Sequence, residues 1–209
     1  MNQLIARVSH LALLLIAPLA LAACGINSIP TQEEKAKAQW AEVQNQYQRR
    51  SDLIPNLVAT VKGYAAQESN VLIGVSQARA GAMQVKSDAS ITTDPAAFQR
   101  YAAAQQNLSL ALAPLRVLQE NYPDLKSNQN FMALQSQLEG TENRVTIARR
   151  DYNEAVRDFN TTLRTFPQII WAKTVHSGSK PMQLFQAATT AQSAPTVDFG
   201  AAPGSPSPK

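Results

Sequence analysis

Apolar positions recur every three or four residues along most of the chain, the spacing of a buried helix face. From Thr31 onward, Trp40, Val43, Tyr47, Ile54, Leu57, Val61, Tyr64, Val71, Val75 and Ala78 keep one phase, and Arg50 and Glu68 are the two charged members of that stripe. Thr31 and Glu34 have the spacing of a capping box and predict the helix start. Pro55 interrupts the stripe without shifting its phase, so a kink is predicted there rather than a stop. Gln84–Asp94 is polar and aperiodic and reads as a loop. Asp94-Pro95 then supplies a capping side chain and a proline at the first helical position. The second helix carries Phe98, Tyr101, Leu108, Leu112, Leu115 and Tyr122, with a second kink predicted at Pro114 and an end at Tyr122-Pro123-Asp124. Ser127 is the predicted cap of a third helix with Phe131, Leu134, Leu138, Thr141, Val145, Ala148, Tyr152, Ala155, Phe159, Thr162 and Phe166 in strict alternation of three and four, ended by Pro167. That mean period of about 3.5 is the seam of left-handed helix packing. A short helix is predicted over Pro181–Gln192, and residues 200–209 read as a low-complexity disordered tail. The fold class predicted is all-α, a bundle of three to four long helices whose stripes form the core.

Composition agrees with that picture. Of 209 residues, 44 % are hydrophobic and only 6 % aromatic, so most of the core must be Leu, Val and Ala. Eight glycines argue against a turn-rich β fold. One cysteine excludes an internal disulfide, and two histidines exclude a His-rich metal site.

The first residues read as an address. A lone Arg7 precedes the thirteen-residue apolar run Leu11–Ala23, which contains Pro18. A membrane-spanning helix needs about 20 apolar residues; the shorter run fits the apolar stretch of a signal peptide. The run ends Leu21-Ala-Ala-Cys24-Gly25, which resembles the bacterial lipobox, whose cysteine is acylated and becomes the mature N-terminus. Gly25 stands where an Asp would, by analogy with known lipoproteins, favour retention at the inner membrane, so an outer-membrane anchor facing the periplasm is expected in a double-membraned host. The expected organisation is a signal peptide over 1–23, a lipidated N-terminus and tether over 24–31, a helical domain over 32–199 and the tail over 200–209.

Three stretches carry a family resemblance. Arg49–Glu68, with its Arg-Arg-Ser-Asp-Leu-Ile-Pro-Asn-Leu-Val core, is similar to the signature of the bacterial LemA family; Glu120–Phe131 and Thr141–Asn160 agree with it in order. Phe166-Pro167 and Pro195–Phe199 resemble the family's ending. The resemblance covers roughly Trp40 to Phe199 and implies an antiparallel helical bundle at a bacterial membrane, facing outward. It implies no defined activity. Two departures matter. Many relatives begin with a full transmembrane helix, which a short signal and Cys24 replace here. Many also carry His where this chain has Gln67, so no role through that His transfers to this chain.

Within these motifs the candidate residues are Arg50, Asp52, Pro55, Asn56, Lys62, Gly63, Tyr64, Glu68, Asn143, Arg144, Tyr152 and Asn153, besides Cys24 for lipidation. Pro55 cannot bond the carbonyl of Ser51, so a polar side chain or water must do so; the polar residues around it either serve that need or form a notch for a partner. Gly63 beside Tyr64 predicts a close helix crossing. Arg50 and Glu68 lie about 27 Å apart along one helix and cannot pair with each other; partners on another helix, such as Glu142 or Arg144, are expected. Arg149, Arg150, Asp151, Glu154, Arg157 and Asp158 read as a solvated, salt-bridged face. Asn143, Asn153 and Asn160 either bond between helices or present amides to a ligand.

The sequence offers no HExxH, CxxC, GxxxxGK[ST] or GxGxxG pattern. His176 has no carboxylate close in sequence to hold it for nucleophilic catalysis. A non-enzyme without cofactor or metal is therefore expected. The pI near 9.3 raises nucleic acid as a partner, but export and interspersed charges argue against it. The reading that results is a membrane-anchored scaffold or adaptor that binds an envelope protein or itself. The alternative is a ligand-binding module for a lipid or peptide, with its pocket near Pro55.

Overall fold

A computed structural model describes residues 25–186. Cys24, the signal peptide, Pro195–Phe199 and the tail lie outside them. Among the described residues six α-helices follow in order: α1 Ser28–Tyr64, α2 Ser69–Gln84, α3 Pro95–Asn121, α4 Pro123–Lys126, α5 Gln129–Thr162 and α6 Gln168–Lys173. A 3-10 turn, Ala89–Thr93, precedes α3. No strand occurs among the described residues, and no helix there is long and apolar enough to cross a membrane.

The axis of the molecule is α1, 37 residues or about 55 Å long. It lies antiparallel to α5: Lys35 meets Asp158, Trp40 meets Tyr152, Arg50 meets Glu142, and Tyr64 meets Asn128. Helix α2 folds back along the second half of α1, and α3 runs up again, parallel to α1. The long helices thus alternate up and down, as the predicted bundle requires. The tightest pairings are α1 with α5 and α2 with α3; α3 and α5 barely meet.

Several local expectations need correction. The stripe from Trp40 to Ala78 is not one helix: the chain leaves α1 after Tyr64 and re-enters a helix at Ser69. Helix α1 begins at Ser28, so Thr31 and Glu34 form no capping box. The Thr31 hydroxyl donates to the Asn27 carbonyl, and Glu34 pairs with Lys37. Asp94 caps α3 as expected, accepting from the amides of Ala96 and Ala97. Asn128, not Ser127, caps α5 by accepting from the Phe131 amide. Helix α5 stops at Thr162, short of Phe166, which is 80 % exposed. Both α1 and α3 run through their internal prolines.

The last correction is the largest. Of the helix expected over Pro181–Gln192, residues 181–186 are not helical but, with Lys180, form an extended strap laid across the bundle, and residues 187–192 lie outside the described residues. Its backbone groups are bonded by side chains of α5, as described below, and that long-range bonding replaces the ladder a helix would have needed.

Two core clusters fill the bundle. One holds Ile29, Trp40, Tyr47, Phe98, Tyr101, Tyr152, Phe159 and the strap's Met182 and Phe185. The other is aliphatic apart from Phe131: Ile54, Leu57, Val61, Leu72, Leu108, Leu112, Leu115 and Leu138 among others.

Candidate functional site

Arg50 sits between the two clusters, with 1 % of its surface exposed. Its guanidinium is the meeting point of three helices. Nη1 donates to Ser109 Oγ at 2.7 Å and to Glu142 Oε1 at 2.9 Å. Nη2 donates to the Gln105 side-chain oxygen at 2.7 Å and its carbonyl at 3.2 Å. The guanidinium also lies 4.9 Å from the centre of the Tyr47 ring. Only Nε lacks a partner. The expected pairing with Glu142 is therefore present. Ser109 and Gln105 were not legible, because Gln105 falls on the α3 stripe where an apolar residue belongs. A buried charge needs a partner and satisfied donors, and here those partners tie α3 to α5 where the two helices otherwise stand apart.

The Pro55 motif is also braced internally. The Ser51 carbonyl freed by Pro55 accepts from Arg79 Nε on α2 at 2.8 Å. The donor comes from neither of the polar residues beside the proline. Asp52 is exposed and accepts from Gln48 at 2.7 Å; Asn56 is exposed, and its carbonyl accepts from Thr60. Gly63 faces open space, with nothing within 4 Å of where a Cβ would stand, so there is no close helix crossing. Lys62 is exposed beside the α1–α2 groove.

At the far end of α1, Tyr122 gathers the turn. Its hydroxyl donates to Glu68 at 2.9 Å and accepts from Gln67 Nε2 at 2.9 Å. The Glu68 carboxylate holds that proton and pushes the Tyr122 hydroxyl above the usual phenol range. Glu68 thus meets Tyr122, not Arg144. Tyr64, 44 % exposed, accepts from Asn128 at 2.7 Å. On α5, Asn143 and Arg144 are exposed, and Arg144 reaches back beside Gly140.

Tyr152 and Asn153 face the other end and bind the strap. The buried Tyr152 hydroxyl donates to the Gln183 carbonyl at 2.9 Å. Asn153 exchanges two hydrogen bonds with the backbone of Phe185, and Asn160 does the same with Met182. Burial pushes the Tyr152 hydroxyl well above its ordinary range. His176 ties the following loop down through its Nε2, 3.0 Å from the Ile26 carbonyl.

The twelve candidate residues thus do not converge. Arg50 forms the clamp, Glu68 joins the Tyr122 turn, and Tyr152 and Asn153 hold the strap, while Asp52, Asn56, Lys62, Asn143 and Arg144 are exposed and join none of these three centres. An apolar cleft opens elsewhere, where α3 and α5 part. The cleft, of about 280 Å³, has an apolar floor of Leu57, Leu112, Leu115, Phe131 and Leu138, with Arg116, Gln135 and Glu139 at its rim.

Comparison with known proteins agrees with the motif order. Magnetosome proteins MamQ 1 and MamQ 2 of Paramagnetospirillum magneticum, and magnetosome protein MamQ of Magnetospirillum gryphiswaldense, are each 23 % identical to this chain over 157 residues. The matched stretch is 68 % of this chain and 58 % of each relative, so the chain spans little more than half their length. The sequence profile of the LemA family matches residues 39–199. That match takes in all three centres and the cleft: the chain belongs to the LemA family.

Proposed function

We propose that this LemA-family chain is a non-enzymatic helical scaffold of the bacterial envelope, held to the membrane by lipid on Cys24. In this reading it receives an amphipathic helix of an envelope protein in the α3–α5 cleft. The observation that carries the reading is the cleft itself. Its floor is apolar, its rim carries both charge signs, and it opens along two long helices, the form that accepts the apolar face of a third. The polar residues of the family motifs support the reading from the other side. Arg50, Glu68, Tyr152 and Asn153 are each engaged inside the fold and leave no converging acid, base and nucleophile. The lipid anchor is supported by the resemblance of Leu21-Ala-Ala-Cys24-Gly25, at the end of a short apolar run, to the bacterial lipobox.

A second reading rests on the same cavity. Leu57 on its floor is two residues from Pro55, and about 280 Å³ is close to the lower limit of small-ligand sites. A lipid or a short peptide would then fill it.

A photo-crosslinking residue at Gln135 in intact cells, with Cys24→Ala as the mislocalised control, separates these readings. The scaffold predicts one recurrent protein adduct, lost in the control. Lipid adducts, with a ligand-dependent rise in melting temperature, support the second reading. No adduct in either form rejects the cleft as a binding site.

A further inference from the structure

The end of the bundle where α1 begins carries apolar side chains that the fold does not use. Phe166 is 80 % exposed, more than any other large hydrophobic residue described, and Ile170 and Val175 are 49 % and 57 % exposed. All three belong to one short segment around α6. That segment is braced from its other side. Trp171 and Ala172 pack against the aromatic-rich cluster, and His176 bonds the Ile26 carbonyl. Exposed apolar side chains gathered on a braced segment mark an interaction surface.

Charge on the same segment has one sign. Residues 163–180 include Arg164, Lys173 and Lys180 and no Asp or Glu. All three cations are exposed, and none pairs with a carboxylate among the described residues. Glu33 and Glu34, in the first turns of α1, are already bound to Lys37. Cations around exposed apolar side chains suit a bilayer surface: the apolar groups enter the headgroup boundary, and the cations meet anionic lipid.

Position supplies the occupant. A Cβ on Gly25 would stand 3.7 Å from Trp171 Nε1, so α6 packs against the residue that follows Cys24. The apolar run Leu11–Ala23 ends two residues before Gly25. We propose that the face formed by Phe166, Ile170, Val175, Arg164 and Lys173 lies on the bilayer surface, with its apolar side chains among anionic headgroups. The proposal takes from the preceding reading only that the chain meets the membrane at Cys24. An anchor alone would leave the bundle free to swing about its attachment. A second contact beside the anchor holds the start of α1 to the membrane and points the helix away from it. Leu57, on the cleft floor, lies about 43 Å along α1 from Ser28. The face therefore sets the distance at which the α3–α5 cleft is held out from the membrane.

The test places a photo-crosslinking residue at Phe166 and, in a second chain, at Met132, which is 56 % exposed at the opposite end of α5. Both full-length chains are made in cells with native Cys24, and adducts are identified by mass spectrometry. The proposal predicts lipid adducts at Phe166 about tenfold above those at Met132. Arg164→Glu with Lys173→Glu should lower them about tenfold while the chain still fractionates with membranes. Adducts at Phe166 to another protein or to the chain itself overturn the proposal, as do lipid adducts indifferent to the charge reversal. The purified Cys24→Ala chain, mixed with vesicles of phosphatidylethanolamine and phosphatidylglycerol, separates the face from the anchor. Charge-dependent lipid adducts there uphold the face even if lipidation of Cys24 fails. No lipid adduct at Phe166 in either setting overturns it.

Discussion

On one side of Arg50 the core is rings; on the other it is branched aliphatic side chains. The ring side is sealed over Trp40, and the groove that opens on its flank beside Tyr47 and Tyr101 is lined mostly by polar residues. Trp40 lies within 5.3 Å of both Tyr101 and Tyr152, and the strap seals it with Phe185. The aliphatic side is lined by Leu57, Leu112, Leu115 and Leu138, and none of the described residues crosses the parting of α3 and α5 there as a strap. Rings with polar tips can be fixed in direction by hydrogen bonds, as Trp40 Nε1 is by the Ser87 carbonyl at 3.0 Å and Tyr152 by Gln183. Leucines have no such handle. The same four-helix frame therefore yields a locked end and an end that can adapt, with one buried cation marking the boundary.

The sharpest way to break this contrast is a matched pair of truncations. Trp40→Ala should cost about 4 kcal/mol, because rings held on every side cannot collapse into the hole. Leu112→Ala should cost about 2 kcal/mol, at the low end for leucine, since it borders a cleft that already exists. Urea midpoints of the two variants check this, and equal costs would dissolve the distinction between the ends.

The boundary comes next. Glu142→Ala leaves the Arg50 charge buried without its carboxylate and should cost about 3 kcal/mol, whereas replacing the pair together, Arg50→Met with Glu142→Met, removes both charges and should cost about 1–2 kcal/mol, what remains being the Gln105 oxygen left without its donor. Thermal denaturation orders the two. The reverse order would mean that the clamp's charge, not its volume, holds α3 to α5.

The smallest effect is in pH. Burial raises the hydroxyls of Tyr101 and Tyr152 above their ordinary range, and Tyr47 is raised by burial against the opposing pull of Arg149 and Arg50. A raised folded value favours the protonated form. The resulting stability is present below about pH 10, the unfolded tyrosine range, and is lost as pH rises above it. Stability should therefore begin to fall near about pH 10 and keep falling above it, and fall less in a Tyr101→Phe, Tyr152→Phe chain. An unchanged slope would remove the aromatic end as its source.

The seam of α5 was legible because burial follows its period: Phe131, Leu138, Val145, Tyr152 and Phe159 all point inward. Arg50 with Glu142 was legible because a charge in a seam demands a partner. The break at Ala65–Glu68 was not. It holds no Gly or Pro, and an apolar period has the same form whether the chain continues or turns back. Gly63 was a faint signal of a nearby helix end, and it was read instead as a packing device. The strap was hidden for a different reason. Its backbone bonds come from Asn153 and Asn160, more than twenty residues away, so no local pattern distinguishes it from a short helix. The seven-residue spacing of those two asparagines on one helix face was the available clue. The cleft was not legible: Leu57 lines it but Pro55 does not, and its walls depend on how far α3 and α5 stand apart, which no periodicity encodes.

Native-state hydrogen exchange, read by mass spectrometry on the full chain, tests the two-ended account most directly. It predicts that the amides of Met182, Gln183 and Phe185, and of α5 from Tyr152 to Phe159, open only with global unfolding. It also predicts that α3 from Leu112 to Leu118, with the facing turns of α5 from Leu134 to Leu138, exchanges earlier through local opening. Protection that is uniform along α5, or weaker at the strap than at the cleft, would contradict it.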